Sequence, residues 1–498
     1  MPWTSHLPII MVLLGIFLSF ILPVVNLWRR RWSEIISLTA MAVMFATGLF
    51  LLWRIEHNGP FKYAVGEWPP PWGIEFNVDY LGVYMMIVIS GIGFLALLYA
   101  TKDLPHELSD NSLQLFYPLY MLLMASMIGM GLTNDLFNLF VLLEITLLSS
   151  VTIICVKQNR ETIEASLKYL ILNAMGSAAL LMGIAITYLI TGHLNMDFIS
   201  EQLSMNYSEY NTVIIAVVAL FLVGFGVKSA LFPMHVWLPD AHGSAPSPSS
   251  AILSGLVIKI YAVALARVYF LVIPEAVLQE IPITNIMTWL AAAGMIVGSM
   301  FAIVQEDIKK MLAYSSVAQI GYVFLGVGLL TITGFQGGII HILNHAIIKA
   351  MLFLIAGAII YSTGIRQIAD MNGLGIRFPW LMLSFTIGAF AMIGIPGTNG
   401  FISKWYLALG ALDAGKPGFV LVILISSLLN GVYYLPIVIN GFFGEMDMNR
   451  VKSLYCAPIP WQMWIPIVFL GIMVIAIGLF PAYPLDVAEE VARVMLGH

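Results

Sequence analysis

Lys228, Lys259, Lys349, Lys404 and Glu144 stand inside hydrophobic stretches long enough to cross a bilayer. A charge at the centre of a membrane helix costs roughly 2.5 kcal/mol or more, even on lenient insertion scales. Five of them in one chain point to a path for an ion or a proton. Glu144 follows Asn134-Asp135, the expected start of its helix, by about ten residues, which places it roughly 15 Å deep at 1.5 Å per residue. It either exchanges protons or only holds helices together. An unpaired buried carboxylate would take up a proton, so a cation partner is expected, and Lys228 is the candidate. Burial disfavours an ammonium and a nearby carboxylate favours it. Such a pair could therefore pass a proton when its separation changes.

Lys259 lies about ten residues into the next span, too deep to snorkel easily to the headgroups, and reads as a relay. Arg267, two turns further on, reads as a structural or exit-side charge. His341, His345 and Lys349 recur at i, i+4 and i+8, which stacks them on one helix face. Histidine titrates near neutrality and passes protons through either ring nitrogen, so the stripe is a relay or, more plainly, polar packing. A zinc site would need further ligands that this span does not supply, and no metal is expected. Tyr314, Ser315, Ser316 and Gln319 in the preceding span could support water beside it. Lys404 would connect the chain of charges to the outer surface or to a neighbouring subunit. His235, Asp240 and His242, in the loop after Lys228, are a proton inlet or simply a solvated loop.

The elements that must position these groups are membrane helices. The 498 residues are 60% hydrophobic and only 10% charged, against about 25% charged in soluble domains, with a mean hydropathy of +0.93. No alternating ten-residue strands suggest an outer-membrane barrel. The net charge of −5 comes with no basic arm, which argues against nucleic acid. Cys155 and Cys456 have no CxxC spacing, so neither a disulfide framework nor a metal site is expected. The first apolar run is too long for a signal peptide and is followed, not preceded, by Arg29-Arg30-Arg31. It reads as a retained span. Asn206-Tyr207-Ser208 matches a glycosylation sequon, a frequent chance occurrence.

Fourteen runs have bilayer length, at about 7–27, 33–54, 80–100, 113–132, 135–156, 163–190, 211–231, 248–271, 286–304, 309–331, 337–361, 380–411, 420–442 and 463–482. One set of loops carries Arg29 to Arg31, Lys102, Lys157, Arg160, Lys309, Lys310, Arg366, Arg377, Arg450 and Lys452. The other carries Glu56, Glu67, Glu75, Asp79, Asp197, Glu201, Glu209, Glu275 and Glu280. The positive-inside rule puts the first set in the cytoplasm and both termini outside. The seventh span is interrupted at Pro233 and the twelfth at Pro396-Gly397, so both should be broken helices. Breaks five spans apart imply two inverted five-helix repeats, spans 4–8 and 9–13, an arrangement common in ion transport. The expected organisation is residues 1–112 for three leading helices, 113–271 and 286–442 for the repeats, and 443–498 for a last helix.

The run LFPMHVWLPDAHGSAPSPSSAILSGLVIKIYAVALAR (231–267) resembles the signature of the antiporter-like subunits shared by respiratory complex I, membrane-bound hydrogenases and Mrp-type sodium/proton antiporters. NDLFNLFVLLEITLLSS (134–150), QEDIKKMLAYSSVAQIGY (305–322), HILNHAIIKAMLFL (341–354) and GIPGTNGFISKWYL (394–407) resemble the same family. The resemblance implies fourteen helices and a hydrated polar axis in the membrane plane. It gives Glu144, Lys228, Lys259, His341, His345 and Lys404 the roles of the family's proton-handling positions. It also implies other membrane subunits as partners, with protons and sodium as the ions moved. Lysine at 404 speaks against the M-type subunit, and the chain has no long C-terminal extension of the L-type or Mrp A-type. The N-type usually departs from HVWLPDAHGSAPSPSSA. The nearest resemblance is to the D-type subunit of a bacterial Mrp antiporter, in the bacterial inner membrane. Membership of a redox-driven complex is the alternative; any redox chemistry would lie in partners, since the chain has no cluster, flavin or haem motif and no cofactor is expected.

Overall fold

Helix starts are written in capping residues. Asp79, Ser109, Asp135, Asn159, Asn195, Asp307 and Thr331 each accept a backbone N–H from the first turn that follows, meeting donors that a helix leaves unpaired. The structure, a computed structural model, describes residues 3–274, 277–278, 282–444 and 457–497. Cys456, Arg450, Lys452, Glu275 and Glu280 lie outside the described residues, and the side chain of Asn206 is likewise not described.

The helices are α1 (Leu7–Trp28), α2 (Arg30–Asn58), α3 (Tyr80–Glu107), α4 (Asp110–Leu132), α5 (Leu136–Cys155), α6 (Arg160–Thr191), α7 (Met196–Lys228) and the short α8 (Leu238–Ser244). Then come α9 (Ser247–Val272), α10 (Ile283–Ile303), α11 (Ile308–Gly328), α12 (Ile332–Thr363), α13 (Pro379–Ile393), α14 (Asn399–Asp413), α15 (Gly418–Phe443), α16 (Trp461–Leu479) and α17 (Ala482–Met495). Among the described residues, thirteen helices are long and apolar enough to cross a membrane. The remaining expected span is the pair α13 and α14, 15 residues each and broken between them. The chain is thus an all-α integral membrane protein of about fourteen spans.

Two features were not expected. β1 (Phe61–Ala64) and β2 (Glu75–Val78) form an antiparallel hairpin after α2. Each strand has only four residues, too few to show an alternating pattern. The last helix, α17, packs on α12 and α3. Tyr483 at its start donates to Glu56 at the end of α2 (2.8 Å), and His6 bonds Tyr63 of β1 (2.8 Å). His6 and the start of α17 therefore lie at the hairpin end of the bundle.

The most hydrophobic windows of α3, α4, α9, α11 and α12 are 78–94% buried, whereas the other spans are at 28–50%. Lys259 and Lys349 ride on two of these inner helices. An internal symmetry orders the bundle. At the hairpin end, the residues before α5 and α7 pair through Leu136 N to Leu194 O (2.9 Å) and Met196 N to Asn134 O (2.9 Å). At the opposite end, Ile308 N bonds Arg366 O (3.1 Å) and Ile368 N bonds Glu306 O (2.8 Å). Each of the four residues in the second pattern lies equally far along the chain from its counterpart in the first. One hydrogen-bond motif thus recurs at opposite ends of the bundle, although the two stretches share little sequence.

Candidate functional site

Lys228 ends α7, where the helix breaks. Its terminal carbonyls are met locally: Trp237 Nε1 donates to Val227 O (2.9 Å), and Ser229 Oγ donates to Phe225 O (2.7 Å). The break turns the ammonium sideways into the bundle, where it is fully buried, and Nζ lies 3.3 Å from Glu144 Oε1. The same carboxylate oxygen accepts from Ser177 Oγ of α6. The Tyr261 ring lies 5.6 Å from Lys228 Nζ. Glu144 itself is 31% exposed on the flank of this chain.

The other deep lysines are held differently. In α9 the helix widens into a π turn at Leu253–Val257, and Lys259 Nζ folds back to donate to Ser254 O. Ser254 Oγ in turn bonds Ser316 Oγ of α11 (2.7 Å). Such π turns recur at functional sites. Lys349 Nζ donates to Leu312 O (2.7 Å) and to Ser315 Oγ, with Tyr434 OH at 3.4 Å. Lys404 Nζ donates to Met392 O (2.7 Å), Ile393 O (3.0 Å) and Ser427 Oγ (3.0 Å). The two carbonyls close the C-terminal end of α13, where a helix dipole favours a cation.

The histidines bridge these groups. His341 and His345 stack with centroids 5.8 Å apart and planes within 13°. His341 Nδ1 bonds Ser403 Oγ (2.9 Å), its ring lies 5.2 Å from Tyr322, and Tyr322 in turn lies 5.0 Å from Lys404 Nζ. Both nitrogens of His345, Nε2 of His341 and Nε2 of Gln319 are buried without a protein partner among the described residues. Buried polar atoms of this kind are ordinarily satisfied by water. Of the stripe, His341 faces a polar partner on α14 and Lys349 faces two on α11, whereas His345 has none among the described residues.

The expected inlet residues do not form a solvated loop. His235 and His242 are buried, and both ring nitrogens of His242 are unpartnered among the described residues. Pro239 lies in the first turn of the short α8, which turns His242 inward against Phe353. Only Asp240 reaches solvent. It bonds Lys168 (3.1 Å) and lies 3.9 Å from Lys310, in a polar cavity of about 720 Å³ that also borders Glu164, Asp307 and Arg366. Lys309, expected in a surface loop, is 2% exposed and donates from Nζ to Ala245 O. Hydropathy missed it because it sits in the first turn of α11 beside the exposed Lys310. Arg267 is fully buried and paired with Asp79 (2.5 Å) near the hairpin.

The family described as NADH:quinone oxidoreductase/Mrp antiporter, transmembrane, matches residues 133–430, more than half of the chain. The chain belongs to this antiporter-like family. It is 36% identical to the N-type subunit of the NADH-quinone oxidoreductase from Desulforudis audaxviator, over 96% of each chain. It is 32% identical to the D-type subunit of the Na(+)/H(+) antiporter from Alkalihalophilus pseudofirmus, over 97% of each. Among solved structures, a chain of the membrane-bound sulfane sulfur reductase, an archaeal respiratory membrane complex, superimposes with a TM-score of 0.90 at 28% identity, covering 99% of this chain and 98% of that one. A chain of the Mrp complex from Dietzia gives 0.89 at 25%, covering 100% and 98%. The family matches span the Glu144–Lys228 pair, the central lysines and Lys404 together. An intact HVWLPDAHGSAPSPSSA run does not separate the branches, since a chain carrying it is this similar to an N-type relative.

Proposed function

We propose that this chain is a proton-translocating membrane subunit of a multisubunit Na⁺/H⁺ antiporter of the Mrp type, in the D-type position. The observation that carries the reading is the 3.3 Å Lys228–Glu144 pair at a helix break. Beyond it lies a buried set of proton-exchanging groups ending at Lys404. Only Lys228 has a carboxylate partner among these deep lysines. Lys259, Lys349 and Lys404 rest on carbonyls and hydroxyls, neutral acceptors that can take a hydrogen bond from an ammonium, more strongly, or from an amine. A proton can then arrive at or leave each site without stranding a counter-ion. Protonation of Glu144 would release Lys228 toward the central groups, and its return would reset the pair.

Glu144 is the one member open at the flank. Around it α5 shows Val141 and Leu148, and α6 shows Met175 and Met182. A carboxylate at this depth is stable against another protein, not against hydrocarbon, so a neighbouring membrane protein of the complex covers this face. The orientation is that of the positive-inside rule, with the hairpin end outside a bacterial cell membrane. Moving one charge across 100 mV is worth about 2.3 kcal/mol, enough for proton flow to drive sodium export if the two are coupled.

Everted vesicles carrying the complex test this. Glu144→Ala or Lys228→Ala should lower Na⁺-dependent proton exchange at least tenfold at unchanged complex yield, and wild-type rates in both variants would sink the reading. A second reading, a proton-pumping member of a redox-driven complex, is favoured by the N-type relative and by the sulfane sulfur reductase chain. Iron–sulfur absorption in the purified native complex would select it over the antiporter.

A further inference from the structure

The groups described so far leave three residues of α3 without a role. Tyr99, Asp103 and Glu107 recur at i, i+4 and i+8, so they lie on one face of α3 at its end away from the hairpin, each about 6 Å from the next along the axis. We propose that they form the proton inlet from that end of the bundle to the central lysines, with Asp103 as the proton-loading group. This rests on the reading of the chain as a proton conductor.

Glu107 marks the mouth. It pairs with Lys157 at 2.8 Å, and both side chains are partly exposed, at 19% and 17%. One turn deeper, Asp103 is 2% exposed, and its Oδ2 has no hydrogen-bond partner among the described residues. A turn deeper again, the Tyr99 hydroxyl is fully buried and equally unpartnered. A Cβ built on Gly357 of α12 would lie 2.6 Å from the Tyr99 oxygen and 2.8 Å from Ser247 Oγ. Even a Cβ has no room there, so both oxygens pack directly against the bare backbone of Gly357. Ser247 opens α9, three residues after the end of α8, where His242 is buried with both ring nitrogens unpartnered among the described residues.

The charged surroundings favour this route. Lys309 of α11 and Lys157 are the cations facing Asp103, with Glu107 on its own helix. Tyr361 of α12 faces Tyr99. Lys309 also lies within electrostatic reach of Arg366 and Asp307, and with Lys259 and Lys349 it acts on His242 through its charge. By contrast, Asp240 in the open cavity is tied to Lys168 and Lys310. In the proposed step a hydronium at the Glu107–Lys157 mouth protonates the Asp103 carboxylate. The resulting acid returns to carboxylate as its proton passes by the Tyr99 hydroxyl, through bridging water, to a neutral amine of the central set, which becomes an ammonium.

The test uses the whole complex in everted vesicles, whose outer medium bathes the cytoplasmic face. Asp103→Asn should cut Na⁺-driven proton exchange at least tenfold, and Asp103→Glu should restore most of it with a shifted dependence on outer-medium pH. Glu144→Gln is run beside them. Loss in Glu144→Gln with a wild-type rate and pH profile in Asp103→Asn overturns the inlet alone. Wild-type rates in both overturn the conductor reading and the inlet with it. Should Asp103→Asn fail to assemble, dicyclohexylcarbodiimide on the unaltered complex decides. It modifies protonated buried carboxyls, so mass spectrometry should find the Asp103 peptide labelled at low outer-medium pH and progressively less as that pH rises. Absent or pH-independent labelling overturns the proposal.

Discussion

At the scale of single residues, what holds each buried lysine determines what a substitution does. Lys404 donates to Ile393 O at the exposed end of the α13 hydrogen-bond ladder and to Met392 O, which also accepts from Asn430 Nδ2 at 3.0 Å. Removing the ammonium strands the Ile393 carbonyl, so Lys404→Ala should destabilise the protein by about 1–3 kcal/mol. Lys404→Glu should cost more, because a carboxylate would then face the negative end of a helix. Thermal unfolding of the detergent-purified protein should rank wild type above Ala and Ala above Glu; a Glu variant as stable as wild type would refute the role of the α13 carbonyls. The identity of these residues was readable in advance, because a charge within an apolar run is visible whatever the fold. Their partners were not. Carbonyls are present at every position, and only the break in the twelfth span and the π turn in α9 decide which ones reach Nζ.

Helices and their joints were legible to different degrees, for a physical reason. Long apolar runs and capping residues such as Asp135 and Asp307 announce spans directly, and prolines 233 and 396 announce the breaks. The fate of the segment after Lys228 depends instead on Trp237, whose indole closes the end of α7 across the break. With that contact formed, α8 is drawn inward and His242 is buried; sequence polarity alone made the same segment look solvated. Trp237→Phe keeps a six-membered ring but removes the N–H donor and the rest of the indole from a buried site, and should cost more than the about 1 kcal/mol of the hydrogen bond alone. It should also loosen the Lys228 end, visible as faster hydrogen exchange in residues 225–237. Unchanged exchange there would mean that the break is held by packing alone. Close helix contacts are a second joint of this kind. A Cβ at Gly298 of α10 would lie 2.8 Å from the Ala318 nitrogen of α11. Gly298→Ala should therefore push the two helices apart and lower stability by about 1–3 kcal/mol, measured again by thermal unfolding.

For the molecule as a whole, the repeated hydrogen-bond motif fixes the two faces relative to each other, and the positive charges name them. Tyr483 against Glu56 and His6 against Tyr63 tie the start of α17 and His6 itself to the hairpin end. The opposite end gathers Lys157, Lys168, Lys310 and Arg366 with their carboxylates. If that cationic end is cytoplasmic, accessibility to an impermeant reagent must divide the chain cleanly. In a variant with Cys155 and Cys456 replaced by serine, a cysteine at Asp486 should react with an impermeant maleimide in intact cells. A cysteine at Lys310 should react only in everted vesicles. The reverse pattern would invert the molecule, and the inward-opening path along α3 would then take protons from outside the cell. Labelling of both positions from one side would contradict the odd number of crossings between them, α11, α12, the α13–α14 pair, α15 and α16, which places Lys310 and Asp486 at opposite ends of the bundle.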